Sequence, residues 1–465
     1  SDMTANNTIA AIATPVGTAG IGVIRISGPS ATEIASRIFE TSGRQVADFP
    51  THIAHHGTLL DPRTSESIDD VVLTVFRAPK SYTGEDVVEL SCHGGIAVLR
   101  AALDAALQAG ARLAEPGEFT RRAFLNGKMD LAQAEAVNDL IRSRTDESRR
   151  AAMRQLDGKL SEAVRAASER ILGVMAAVEA AVDFPDDVDE PDREWVLAEL
   201  RAVVSRLEDL IASFGRGRVY REGLRVVIAG RANVGKSSLL NALLRHARAI
   251  VTPVPGTTRD LIEESLEIRG IPVVAIDTAG IRSTDDPIER IGVELSTEAI
   301  HGADLILLVF DISEGIRQAD VELLDQVTDR PVIAVLNKID LLPEEARGQE
   351  TKEYAGSLGR RLPVIGTCAS SGQGVEELED AIAELVASHG LSSESVVVTN
   401  ARHREALMSA LESLSQALAT IEAHEPVDLL FVDLAAARAS LGLITGDTVS
   451  EDLLDRVFSQ FCIGK

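Results

Sequence analysis

The chain has 465 residues, 45% hydrophobic and 25% charged, which suits about three domains of ordinary size and excludes a disordered or fibrous chain. Its formal charge of −26 repels phosphate polymers over most of the surface, so broad nonspecific coating of DNA or RNA is out, though a local site or one lent by a basic partner is not. Three cysteines exclude a disulfide framework and fit a reducing cytoplasm, and no run of about 18 apolar residues offers a transmembrane helix. Ser1 and Asp2 ahead of Met3 read as a cloning remnant, with no secretory apolar segment after them.

In chain order, Thr8–Thr14, Ile21–Ser27, Asp69–Phe76 and Asp86–His93 read as strands, with helices expected at Ala31–Phe39 and Ile96–Ala109. That makes residues 1–125 a small α+β unit. From Asp130 to Val182 the periodicity is helical, and Gly158 is the expected break in what would otherwise span about 80 Å. The acidic stretch Asp183–Glu194 reads as a solvated loop between helices rather than a divalent-metal site. A helix at Trp195–Phe214 leads to "GRGRVYREG", a Gly/Arg hinge. Residues 224–389 alternate strand and helix as a doubly wound α/β domain does. After a polar joint at Leu391–Ser395, helical periodicity resumes at His403–His424, Val427–Leu443 and Ser450–Gln460. The segments are therefore 1–125, 126–220, 221–389 and 390–465, with a helical domain split by an inserted α/β domain.

The inserted domain carries the chemistry. Gly230, Gly235, Lys236 and Ser237 match G-x-x-x-x-G-K-[ST] between a strand and a helix, where backbone N–H groups and the helix N-terminus hold phosphates. Lys236 is expected to neutralise the β/γ-phosphates and Ser237 to ligate magnesium, with Asn233, Val234 and Ser238 completing the loop. "DTAG" places Asp277 at a strand end near the magnesium shell, followed by Thr278, Ala279 and a Gly280 N–H free to meet a γ-phosphate. Asn337, Lys338 and Asp340 form N-K-x-D, in which a carboxylate accepts the two N–H donors on guanine's edge that adenine lacks. Cys368, Ala369 and Ser370 sit where a backbone N–H would meet the guanine oxygen. Thr252, Pro253, Val254, Pro255, Gly256, Thr257 and Thr258 fill the place of a magnesium-sensing switch, with Thr258 the second magnesium ligand and Thr257 the competing choice. Ile281 stands where Ras-like enzymes carry a water-orienting glutamine, so another group must position water, from among Arg282, Glu289 and Arg290; Arg290 reads as a solvated charge. These motifs specify GTP.

With their flanks, "TIAAIATPVGTAGIGVIRISGP", "SYTGEDVVELSCHGG", "PGEFTRRAFLNGKMDLAQAEAVNDLI", "GTTRD", "DTAGIR" and the terminal "CIGK" resemble the tRNA-modification GTPase family called MnmE or TrmE. The resemblance implies a multidomain α/β fold: an N-terminal α+β folate-binding and dimerisation domain, a discontinuous all-α helical domain, and an inserted P-loop Ras-like GTPase domain with a mostly parallel sheet. It also implies a potassium-stimulated cytoplasmic GTPase, a homodimer. The resemblance further implies that, with an FAD-binding partner in a heterotetramer or larger assembly, such a protein adds a carboxymethylaminomethyl or aminomethyl group to the wobble uridine of certain tRNAs. The one-carbon donor that the resemblance implies is 5-formyl- or methylene-tetrahydrofolate. The family's potassium site falls on Asn233 and on the backbone at Thr252, Val254 and Thr257, and its water-organising glutamate on Glu289. Its folate contacts fall on Arg25, Glu89, Lys128 and Lys465. A pterin's donor edge suits a carboxylate and folate's glutamate tail suits Arg or Lys; without the resemblance these four read as surface ion pairs.

Cys462 is either a free thiol on a frayed tail or a nucleophile or acid at the folate one-carbon unit with Lys465 lowering its pKa. Cys92 and His93, as strand neighbours, should face opposite ways and form no dyad. His52, His55 and His56 lack the further ligands a metal would need. Departures from the family pattern are Arg231 and Ala232 in variable loop positions, Ser370 where a basic residue is common, and Val16 and Thr18 in the first turn. Arg142, Arg144, Arg149, Arg150 and Arg154 are diluted by acidic neighbours, so tRNA should be held mainly by the partner and only weakly by this chain. Two rival readings are a GTP-controlled ribosome- or RNA-assembly switch without modification chemistry, and a folate carrier with a purely regulatory GTPase.

Overall fold

The computed structural model describes residues 8–41, 43–184, 186–249, 263–277, 300–327, 330–358, 362–387 and 396–465. The fold is multidomain α/β and divides into two compact units, one of 1–138, 156–165 and 438–465, the other of 139–155 and 166–437.

The first unit begins with β1 (Ile9–Ile12), β2 (Ala19–Ser27), α1 (Ala31–Ile38), β3 (Phe39–Glu40), β4 (Ala54–Leu60), β5 (Ser67–Phe76), β6 (Val87–Gly94), α2 (Ile96–Gln108), β7 (Arg112–Leu113), α3 (Glu118–Leu125) and α4 (Leu131–Arg142). The strands form one sheet in the order β3-β4-β5-β6-β2-β1-β7, antiparallel except where β7 joins β1. Period-two alternation sends Ile24, Ile26, Leu73 and Leu90 into a core with Ile34 and Ile38 of α1 and Leu99 and Ala106 of α2. Arg25 and Glu89, paired across β2 and β6, therefore share the other face. Strand β4 has no counterpart in the sequence reading: "AHHGTLL" is poor in β-branched residues, and it is a strand because Leu59 enters the core and the backbone pairs with β5.

The chain continues with α5 (Asp146–Leu156) and α6 (Lys159–Asp183), of which 156–165 count with the first unit and the rest with the second, and with α7 (Arg193–Ala212) and α8 (Phe214–Glu222) of the second unit. The expected break at Gly158 is present, in a left-handed turn at φ +84. A second break, at 143–145, was not expected; Ser143 and Thr145 turn their hydroxyls onto Leu140 O and Ser148. Asp186–Glu190 are exposed, and Asp192 caps α7 through Glu194 N at 3.3 Å. The Gly/Arg hinge is corrected by the structure, because Phe214–Glu222 is helix. Gly217 serves close approach: a Cβ there would lie 2.1 Å from Val398 O, while Ser213 Oγ accepts from Val398 N at 2.9 Å.

Next come β8 (Leu224–Ala229), α9 (Lys236–His246), β9 (Arg248–Ala249), β10 (Glu263–Ile268), β11 (Ile271–Asp277), β12 (Leu305–Asp311), α10 (Gln318–Gln326), β13 (Val332–Asn337), α11 (Arg347–Ser357), β14 (Val364–Gly366) and α12 (Val375–Ala387). The sheet order is β14-β13-β12-β8-β11-β10-β9, parallel from β14 to β11. Both faces are covered. Ile228, Leu307 and Val335 meet Leu239 of α9 and Ile382 of α12, while Val227, Leu308 and Leu336 meet Leu324 of α10 and Tyr354 of α11. That is why "LILLVF" is a continuous apolar run. Strand order reverses beside β8, so the crevice at the carboxyl ends of β8, β11 and β13 is where a ligand belongs. The Leu391–Ser395 joint lies outside the described residues.

Helix α13 (Ala401–Glu422) pairs with α7, and α14 (Leu430–Thr445) and α15 (Glu451–Phe458) end the fold. In the first unit, Leu454, Val457, Phe458 and Phe461 pack on Leu131 and Ala134 of α4. No helix among the described residues is long and apolar enough to cross a membrane.

Candidate functional site

The loop after β8 delivers Lys236 as the first residue of α9. Gly235 precedes it at φ +101, and any side chain there would put its Cβ 2.1 Å from Asn337 Nδ2. Lys236 Nζ donates to Gly230 O and Arg231 O, both at 2.8 Å, so the ammonium sits at the mouth of the loop. Burial pushes its pKa below the ordinary lysine value, and the charge of Asp277 pulls the other way. Ser237 Oγ donates to Asp277 Oδ2 at 2.7 Å, joining the helix start to the end of β11. A hydroxyl and a carboxylate are hard oxygen donors that suit magnesium, which takes few protein ligands when phosphates supply the others. Among the described residues no cluster of three or more His, Cys, Asp or Glu groups forms a separate metal centre.

Asn337, 2% exposed at the end of β13, spends its amide on the same loop. Nδ2 donates to Val234 O at 2.9 Å, and Oδ1 accepts from Ala369 N at 3.1 Å and from Thr367 Oγ1 at 3.4 Å. Lys338 stands in the left-handed region at φ 66 and donates from Nζ to Asn233 O at 3.1 Å and to Asp311 Oδ2 at 2.5 Å. Burial would raise the Asp311 pKa, but hydrogen bonds from Lys338 and Ser313 hold it below the usual carboxylate value. Asp340 is exposed in the turn Ile339–Leu341, and its carboxylate has no partner among the described residues. Cys368 is buried with its N–H bonded to Gln373 O at 2.9 Å, whereas Ser370 is exposed. Asn233 and Ser238 are exposed as well, and Val234 is buried. The structure thus brings together Asn233–Ser238, Asp277, Asn337–Asp340 and Cys368–Ser370. Thr252, Pro253, Val254, Pro255, Gly256, Thr257, Thr258, Thr278, Ala279, Gly280, Ile281, Arg282, Glu289 and Arg290 lie outside the described residues.

A second constellation lies in the first unit. Arg25 Nε and Nη2 each reach Glu89 Oε1 at 2.8 Å, and Nη1 donates to Gly464 O at 3.4 Å. The guanidinium lies over the rings of Tyr82, 5.3 Å from the centroid, and Phe119, at 5.6 Å. Burial, then the charge of Arg25, lowers the Lys465 pKa, and Glu89 opposes them. Arg25, Glu89 and Lys465 therefore meet at the C-terminal turn. Lys128 goes elsewhere, donating to Pro79 O at 2.9 Å. Cys462 is exposed, and its carbonyl accepts from Gly117 N at 3.4 Å and Lys465 N at 3.3 Å. Sequence reasoning missed the aromatic walls, Tyr82 and Phe119, because nothing local marks them.

Cys92 and His93 do face opposite ways. Burial, helped by Asp69, pushes the Cys92 thiol up to about 12. His93 is exposed, with Nδ1 2.6 Å from Asp69 Oδ1 and its N–H donating to Oδ2 at 2.7 Å. The hydrogen bond to Asp69 raises the His93 pKa; burial alone would raise Asp69, but the bonds from His93 hold it low. The stabilisation is complete below the ordinary histidine value and lost as pH rises through the higher folded value. It also fades in acid as Asp69 takes its proton. NMR titration should place His93 above the ordinary histidine value, and Asp69→Asn should bring it back; an unmoved pKa would break the assignment. The other histidines do not converge: His52 bonds Thr51, His55 stacks on Phe49 and His56 pairs with Asp70. Arg149 and Arg150 pair with Asp146, and Arg144 reaches Ser265 Oγ, so these cations are engaged within the chain.

Residues 8–128 match the family described as GTP-binding protein TrmE N-terminus, and residues 131–462 match the MnmE helical domain. The protein called tRNA modification GTPase MnmE in Geobacillus kaustophilus (strain HTA426) is 47% identical over 467 residues, 100% of both chains. Its namesake in Carboxydothermus hydrogenoformans is 45% identical over 462 residues, 99% of each chain. That of Bacillus subtilis (strain 168) is 45% identical over 463 residues, 99% of this chain and 100% of the relative.

Proposed function

Since the chain belongs to the MnmE family of tRNA modification GTPases, we propose that it hydrolyses GTP in the service of a tRNA wobble-uridine modification. The observation that carries the reading is the meeting, at the carboxyl ends of one parallel sheet, of Lys236, Ser237 on Asp277, Asn337 and Asp340. Backbone N–H groups at the start of α9 bind the phosphates and Lys236 neutralises the β/γ oxygens. Asp340 accepts guanine's N1–H and 2-amino donors, and Asn337 stiffens the wall between base and phosphates. Ser237 and Asp277, with Thr258, would hold magnesium, which when bound neutralises charge on the β- and γ-phosphoryl oxygens. Asn233, exposed and with no side-chain partner among the described residues, together with the backbone at Thr252, Val254 and Thr257, would hold potassium, which when bound supplies the charge an arginine finger gives elsewhere. Glu289 orients the attacking water in place of the glutamine that Ile281 displaces, with Arg282 a further catalytic group.

The Arg25–Glu89–Lys465 cluster, walled by Tyr82 and Phe119, fits a folate. The free Glu89 oxygen can take the pterin donor edge and the cations the glutamate tail. Such a carrier supplies the one-carbon unit beside which Cys462 would act. The N-terminal segment pairs two copies, since Ile21 (64% exposed) and Val72 (38% exposed) leave part of its sheet's second face uncovered. An FAD-binding partner completes the cytoplasmic assembly and makes most phosphate contacts to tRNA, in keeping with the −26 charge and the internally paired arginines.

Depleting the chain should remove the aminomethyl-type wobble nucleoside from tRNA by mass spectrometry, and re-expression should restore it. The purified protein should hydrolyse GTP faster in potassium than in sodium. Unaltered nucleosides would leave only an assembly switch or a folate carrier, and a preference for adenine nucleotides would end the GTPase reading altogether.

A further inference from the structure

Arg231 belongs to none of the groups assigned above, yet it sits in the phosphate loop and is bound on both sides. Its Nε donates to Asp320 Oδ1 at 2.7 Å and its Nη1 to Glu314 Oε2 at 2.9 Å. Asp320 is 2% exposed and is fixed in turn, because its Oδ2 accepts from Arg317 N at 3.0 Å and closes the N-terminus of α10. Glu314 is shared with Arg317 at 3.2 Å. The carbonyl of Arg231 is itself one of the two that receive Lys236 Nζ. One guanidinium therefore ties the leading half of the loop, through a buried carboxylate, to the first turn of a helix about 90 positions downstream.

We propose that Arg231 is a positioning residue of the phosphate loop, whose fork to Asp320 and Glu314 holds Gly230 and Arg231 in their nucleotide-bound shape before any nucleotide arrives. A loop ordered in advance loses less conformational freedom on binding, so the fork strengthens nucleotide retention rather than the chemical step. Lysine cannot replace it, because a single ammonium does not bridge two carboxylates in the plane of a guanidinium. The inference rests on the GTPase reading. The two are separable, since failure of the wild-type chain to bind guanine nucleotide sinks that reading and leaves nothing to retain.

The test is stopped-flow release of methylanthraniloyl-GDP from the full chain. Arg231→Ala should release it about tenfold faster, the size expected for loss of charge-assisted hydrogen bonds. Arg231→Lys should fall between that variant and wild type, and Glu314→Gln should speed release about threefold. Glu314 is exposed, so its variant leaves no buried charge unpaired and keeps the test open should Arg231→Ala fold poorly. The double variant Arg231→Ala/Glu314→Gln should match Arg231→Ala alone, because both act through one contact. In steady state the loss should fall on KM rather than kcat, a split that simple destabilisation does not produce. Wild-type release rates in Glu314→Gln and Arg231→Lys, or effects that multiply in the double variant, would overturn the proposal.

Discussion

Asp340→Asn should weaken GTP about a thousandfold and admit xanthosine triphosphate in its place, the loss expected when one of two hydrogen bonds to a charged acceptor becomes a donor facing a donor and the other loses its charge. Asp340 stands in a turn fixed at one end by buried Asn337, with Lys338 bonded to Asn233 O and Asp311. The turn should therefore survive the change, and only the chemistry at its tip should differ. A carboxylate accepts from N1–H and from the 2-amino group; a carboxamide keeps one acceptor but turns an N–H₂ toward the second donor. Xanthine has an oxygen at that position, so the carboxamide suits it. Competition binding with GTP and XTP measures the exchange. Undiminished GTP affinity would show that Asp340 does not read the base.

Lys236→Ala should lower GTP turnover about a hundredfold to a thousandfold, in the range for removing one preorganised charge from a transition state. The buried ammonium is held on Gly230 O and Arg231 O and faces Asp277. Its removal leaves the developing phosphoryl charge without its nearest cation. Arginine should not rescue it, since a planar fork cannot occupy the space of a compact ammonium. Burial already lowers the Lys236 pKa, so the unliganded protein gains little from the charge, and its Tm should move far less than its rate. Single-turnover hydrolysis at saturating GTP checks this; turnover within threefold of wild type would remove Lys236 from the chemistry.

The inserted α/β domain was legible because its motifs encode backbone shape locally. Gly235 is a glycine since a left-handed turn meets Asn337 there, and the spacing to Lys236 and Ser237 follows from a strand–loop–helix that any such site must use. The alternation that put Arg25 and Glu89 on strands was legible too. Their contact was not, since it depends on the register between β2 and β6 and on a C-terminal turn that arrives from 439 positions away. Arg231 looked like a filler in a variable loop position for the same reason: both its partners are more than 80 positions downstream. The Gly/Arg stretch misled in the opposite direction. Three glycines and three arginines suggest freedom, but Val219 is buried and Gly217 lies against a carbonyl, so tertiary packing overrides weak helix propensity. Lys128, which the family pattern assigns to folate, reaches Pro79 O here, a contact that no local sequence signal marks.

The seam at Ser213, Gly217 and Val398 joins the two segments that flank the inserted domain. Its entering and departing strands of polypeptide are stitched together at that line, one by a hydroxyl and the other by a glycine that leaves no gap. An alanine at Gly217 would press its Cβ onto Val398 O and force those two segments apart.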